Sequence, residues 1–178
     1  MAGGRLMRAQ TTIDYAVGAS VFLLTVAFAI AFVPGILQPF TGGAQEEIAT
    51  VDRAAATLAQ DLLGSPETPY LLNETCTEAF FNGTTACGFD GGLTVRERLG
   101  LDDRQRINVR IVGQDTDGDG TRDLLCRTAA GRVVEAPGAS CRTRFVAGDS
   151  VPSDGADVVS RRAVYVDGRD AFVLVRMW

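Results

Sequence analysis

Between Asp14 and Glu46 the chain carries no charged residue across 31 consecutive positions. The most apolar part, Ala16–Val33, reads AVGASVFLLTVAFAIAFV and has no polar face. At about 1.5 Å per residue these eighteen residues reach ~27 Å, close to the hydrocarbon thickness of a bilayer. A core helix of a soluble domain is rarely apolar on every side for so long. The pattern therefore predicts a membrane-spanning helix over residues 10–34. Pro34, Gly35, Pro39, Gly42 and Gly43 follow. Proline lacks a backbone donor and its ring crowds the preceding turn, so a break is expected over 35–43.

Beyond the break the period changes. Ile48, Val51, Ala55, Leu58 and Leu62 recur at alternating steps of three and four, which predicts an amphipathic helix over 44–64. Glu46, Glu47 and Asp52 lie near its N-terminal end, where they complement the dipole, and Gly64-Ser65-Pro66 stops it. Its stripe can serve as a seam between subunits or pack on a sheet of the same chain, and the second reading is the simpler. Residues 65–178 then form a β-rich head. Pro69–Thr94 reads as loop. Arg106–Ile111 alternates apolar and polar residues, as a half-buried strand does. Leu124–Thr128, Val133-Val134 and Thr143–Val146 are shorter candidates. Ala163–Val166 and Ala171–Val175 flank Asp167-Gly168-Arg169 as a hairpin that ends in Trp178, placed over one end of the sheet. The fold class is α+β: an N-terminal transmembrane helix, a second helix, and a small antiparallel sheet packed on it.

All 17 basic residues are Arg; His and Lys are absent. This excludes an imidazole base, a Ser-His or Cys-His pair, a Schiff-base lysine and a P-loop lysine. With 15 Asp and 7 Glu the formal net charge is −5, the wrong sign for a nucleic-acid partner. An extracellular hydrolase built on paired carboxylates has no motif to support it, and no catalytic residue is assigned.

Arg5 and Arg8 precede the apolar segment, and no basic residue follows until Arg53. The positive-inside rule then places the N-terminus in the cytoplasm and the head outside. A cleaved secretory signal would have an apolar stretch of only about 7–15 residues. Asp14 is unusual, because an ionisable group at the edge of a membrane helix is commonly functional. Its surroundings, Arg8-Ala9-Gln10-Thr11-Thr12-Ile13-Asp14-Tyr15, resemble the class III signal of archaeal type IV pilins and archaellins. In that family a basic leader ends in a small residue, followed by Gln, Ser or Thr, an acidic residue, Tyr and the apolar helix.

The resemblance implies that a prepilin peptidase removes residues 1–9 by cutting between Ala9 and Gln10. It also implies that Asp14 pairs with the new N-terminal ammonium of a neighbouring pilin-like subunit in low dielectric. Ala9 replaces the common Gly, Thr12 the common Ser, and Asp14 the usual Glu. The resemblance covers about the first 35 residues. The lysine-free, acid-rich composition also resembles that of haloarchaeal proteins.

Within the head, Asn73-Glu74-Thr75 and Asn82-Gly83-Thr84 are glycosylation sequons, and they take up two of the chain's three asparagines. Four cysteines outside the membrane allow three pairings. Sequential pairing, Cys76–Cys87 and Cys126–Cys141, closes the shortest loops, and each bridge is worth about 3 kcal/mol. Asp115, Asp117, Asp119 and Asp123, with Gly118 and Gly120 between them, form the one cluster with ligand chemistry. Their spacing resembles the single-loop calcium motifs of thrombospondin-type and dockerin repeats. An EF-hand would need Glu where Cys126 stands. The ion would be a structural calcium. Together these features predict a structural, non-enzymatic pilin-like subunit for adhesion or filament assembly. The alternative is a permanently anchored single-pass protein with a binding ectodomain.

Overall fold

The computed structural model describes residues 6–41, 44–154 and 156–178; side chains of 6–11 and 33–45 are not described. Two compact units divide the chain at Gln45/Glu46.

The first unit is helix α1 (Leu6–Thr41). Its window Thr12–Phe32 has a mean hydropathy of 2.2 and is 0% buried, so it is long and apolar enough to cross a membrane. Two hydroxyls inside this window bond back to the helix. Ser20 Oγ donates to Ala16 O and Thr25 Oγ1 to Val21 O, each at 2.7 Å. Such internal satisfaction is what hydrocarbon demands. The break expected over 35–43 is not found in the described part of that segment, since α1 runs through Pro34 and Pro39 to Thr41. Each proline removes one donor, and the remaining ladder holds the helix across it. Gly42 and Gly43 lie outside the described residues, as do residues 1–5 of the expected leader.

The second unit opens with α2 (Ala44–Thr57), which continues into a single π turn, Leu58–Leu62. Leu63 N reaches Leu58 O at 3.0 Å, and the widened turn leaves Ala59 O to accept from Tyr70 N at 3.1 Å. A strap over residues 65–73 can thereby fold back on the helix end. Gly64 is required there, because a Cβ would stand 2.7 Å from Ala59 O. Val51, Ala55 and Leu58 of the expected stripe are buried, Leu62 is half-buried, and Ile48 is 54% exposed.

Among the described residues, seven strands make two antiparallel sheets rather than one. The larger has the order β5 (Val146–Gly148), β1 (Ile107–Val112), β7 (Arg169–Met177), β6 (Val158–Val166). The smaller has the order β3 (Val133–Glu135), β2 (Leu125–Thr128), β4 (Cys141–Arg144). Phe145, between β4 and β5, joins them: Ile111 N donates to its carbonyl and its own N–H donates to Leu125 O, both at 3.0 Å. The β6–β7 hairpin turns at Asp167-Gly168, with φ of 48° and 77°. Positive φ at both central residues matches the twist of the strands. The inward residues Ile107, Val109, Ile111, Val164, Val166, Val173 and Val175 share one core with Val51, Ala55, Leu58 and Leu63. Asp52 of α2 accepts from Ser160 Oγ at 3.0 Å and from Arg162 at 2.6 Å, which ties the helix to β6. The amphipathic helix therefore packs on its own sheet, and Trp178 is half-buried beyond β7.

The stretch expected to be loop, Pro69–Thr94, contains α3 (Glu74–Asn82) and a 3₁₀ turn at Ala86–Gly88, and the short α4 (Val95–Arg98) follows it. Asn73 caps α3 through Cys76 N, and Gly83 ends it at φ 70°. Phe80, Phe81, Phe89 and Phe145 form a linked aromatic cluster. The Arg98 guanidinium lies over Phe80 and Phe89 and donates to Phe80 O and Asp90 O, each at 3.1 Å.

Candidate functional site

At the N-terminal end, the backbone of Ala9 and Gln10 is helical, as part of α1. Asp14 and Tyr15 are exposed on the same helix, Tyr15 at 78%.

The acidic segment is a compact loop between β1 and β2. Its base closes through Gly113 N to Asp123 O at 2.8 Å and Asp123 N to Gln114 O at 3.1 Å. Asp115 accepts from Gly118 N at 2.7 Å and from Gly120 N at 3.0 Å, so its two oxygens fold the tip around themselves. Asp117 accepts from Asp119 N at 3.2 Å. Asp119 accepts from Thr121 N at 2.7 Å and Thr121 Oγ1 at 2.6 Å. Those bonds, the Thr121 hydroxyl first, hold the Asp119 carboxyl below the usual carboxylate range. One oxygen from each of Asp115, Asp117 and Asp119 lies within 4.8 Å of the others. Asp123, expected as a fourth ligand, is elsewhere. It is buried and accepts from the Thr116 N–H at 2.8 Å and from the Thr116 hydroxyl. Three exposed carboxylates can offer a hard cation half or fewer of the oxygens it takes, with carbonyls or water for the rest.

Both disulfides have the sequential pairing. Cys76–Cys87 fastens α3 to the 3₁₀ turn and Cys126–Cys141 fastens β2 to β4, with Cα separations of 5.4 and 5.6 Å. The two sequons sit at opposite ends of α3. Asn73 is its N-cap, and Asn82 is its last residue. Asn82 Nδ2 donates to Thr143 Oγ1 on β4 at 2.8 Å and to Glu78 Oε1 at 3.4 Å.

Glu78 was not foreseen from the sequence. It receives Arg127 at 3.2 Å, Arg142 at 3.4 Å and Thr143 Oγ1 at 3.3 Å, and it pins α3 to the smaller sheet. Asn73 followed by Glu74 is a helix-start signal that would have exposed α3 and this network. No comparable signal in the sequence marks the open cleft of about 630 Å³ beside Asn73.

The chain belongs to DUF7287, a family of unknown function whose model matches residues 7–178. That match takes in both the apolar helix and the whole head. No curated protein and no solved structure matches the chain.

Proposed function

We propose that this chain is a type IV pilin-like subunit of an archaeal, halophilic cell. Its leader is removed between Ala9 and Gln10, α1 is held in the membrane, and the disulfide-bonded head lies outside. The observation that carries this reading is α1 itself, one continuous helix from Leu6 to Thr41 with an apolar window that is 0% buried. A helix that keeps its apolar surface free and does not stop at its prolines suits either a bilayer or the packed centre of a filament. The Ala9-Gln10 and Asp14-Tyr15 spacing at its start supplies the processing and pairing chemistry. The role is structural, in adhesion or filament assembly, and the partners are the membrane, the prepilin peptidase and other pilin-like subunits.

The test is the N-terminus and intact mass of protein taken from native membranes. A chain that starts at Gln10 is expected. Retention of Met1 to Ala9 would replace this reading with a permanently anchored ectodomain, which the self-contained core of Glu46–Trp178 also suits. The convergence of Asp115, Asp117 and Asp119 supports a structural calcium within the head. Millimolar calcium is then expected to raise the unfolding temperature of the wild-type chain and to leave that of Asp117→Asn unchanged. Equal shifts in the two proteins would remove calcium from the account.

A further inference from the structure

The two sequons are equivalent in sequence and unlike in structure. We infer that Asn73 carries a glycan, that Asn82 stays bare, and that the glycan occupies the cleft beside Asn73. This rests on the head lying outside the membrane.

Asn73 is exposed, and only its carboxamide oxygen is engaged, accepting from Cys76 N at 3.1 Å. No described residue accepts from its Nδ2, the atom that is glycosylated. The linkage forms when Nδ2 attacks the anomeric carbon of a lipid-phosphate-linked oligosaccharide. The new N–C bond replaces the C–O bond to phosphate, the phosphate leaves with the electron pair, and a base on the transferase takes one amide proton. Oδ1 is untouched by this step, so the cap on α3 survives. Asn82 differs at the same atom. Both of its amide hydrogens are committed, one to Thr143, a residue 3% exposed, and one to Glu78. Asn82 is exposed as Asn73 is, so the two sites differ in the engagement of Nδ2 and not in access.

The cleft points to where the Asn73 glycan lies. Ser65, Thr68, Asn73 and Thr75 line it together with Leu71 and Tyr165. Leu71 and Tyr165 are each 46% exposed. Tyr165 belongs to β6, the outermost strand of the larger sheet, and pairs there with the strap: Leu72 N donates to Tyr165 O, and Tyr165 N donates to Tyr70 O, each at 2.8 Å. The strap satisfies the Tyr165 backbone, and what stays open at this edge is the apolar surface of Leu71 and Tyr165. A sugar has an apolar face for the Tyr165 ring and hydroxyls for the Ser65 and Thr68 rim, so the glycan fits as the edge's cover.

The full chain, purified from native membranes, provides the test. Cleavage after Arg leaves both sequons on one peptide, residues 54–96, whereas cleavage after Glu separates Asn73 from Asn82. Glycan mass is expected on the Asn73 peptide alone. Thr75→Ala should abolish it while keeping Asn73 as the cap, and Thr84→Ala should leave the mass unchanged. Nitration of Tyr165 should become several-fold faster in Thr75→Ala. A modified Asn82, or unchanged Tyr165 reactivity once the glycan is lost, would overturn the assignment. Protease added to intact cells reads the orientation separately. A bare Asn73 on an accessible head overturns only the glycan, and a bare Asn73 on a protected head overturns the outside location as well.

Discussion

Single charged residues in this head differ widely in what they hold. Glu78 has a side chain only 17% exposed, and its partner Arg127 is 18% exposed. Replacing Glu78 by Ala leaves Arg127 with Glu74 alone and takes an acceptor from Thr143 and Asn82. Loss of one member of such a half-buried group costs about 1–3 kcal/mol. The pair Arg106–Asp149 also spans elements, but Arg106 is 60% exposed. There Arg106→Ala should cost less than about 1 kcal/mol, because water screens what the pair gains. Urea unfolding of the two variants is expected to show that order, and equal losses would mean that Glu78 is not a hub. Neither role could be read from spacing. Glu78 looks like any acidic helix residue until α3 is placed against β4, a contact between residues 65 apart. Asp123 shows the converse. It continues the acidic run in sequence, yet it folds under the loop and takes the Thr116 N–H.

Local signals matched some of the elements that formed, while the prolines of α1 did not end their helix. The helix α4 is held by a capping box: Thr94 Oγ1 accepts from Glu97 N at 3.3 Å, and Glu97 Oε2 accepts from Thr94 N at 2.7 Å. The Thr94 backbone bond, followed by the Thr94 hydroxyl, lowers the Glu97 carboxyl from its ordinary value of 4.5. A carboxyl lowered in the folded state stabilises fully above its unfolded value, and that contribution is lost as pH falls through the folded one. Thr94→Ala should therefore flatten the acid limb of the stability–pH curve below about pH 4.5 and have its full effect at neutral pH. Thr94→Ala keeps the backbone bond, so an acid limb with unchanged slope would show that the hydroxyl carries none of that dependence. The strands over 107–112, 158–166 and 169–177 were legible only in part, as 106–111, 163–166 and 171–175, and the clearest of them was read from alternation, the mark of a sheet with a buried face. The sequence concealed α3 because its nine residues make too few turns for a period to stand out. The uninterrupted course of α1 was hidden for another reason: a proline removes one backbone donor, and spacing alone does not show that the flanking turns will carry the helix past it.

At the scale of the molecule, every buried apolar side chain among the described residues lies between Val51 and Met177. The window of α1 contributes none of them, and its Val21, Phe22, Leu24 and Phe28 are all more than 60% exposed. Two disulfides and both sheets fall within the second unit as well. Hydrophobic burial is the dominant favourable term in folding, so a unit that holds the whole described core should fold without the helix. A chain beginning at Glu46 is therefore expected to be soluble, to form both bridges and to unfold cooperatively. Its unfolding temperature should fall within a few degrees of the head transition in detergent-solubilised full-length protein. Calorimetry on the two forms, with mass spectrometry of the bridges, makes the comparison. Aggregation or a broad transition in the shortened chain would mean that α1 completes the head fold. A sharp transition would leave α1 free to exchange lipid neighbours for those of another subunit without unfolding the domain it carries.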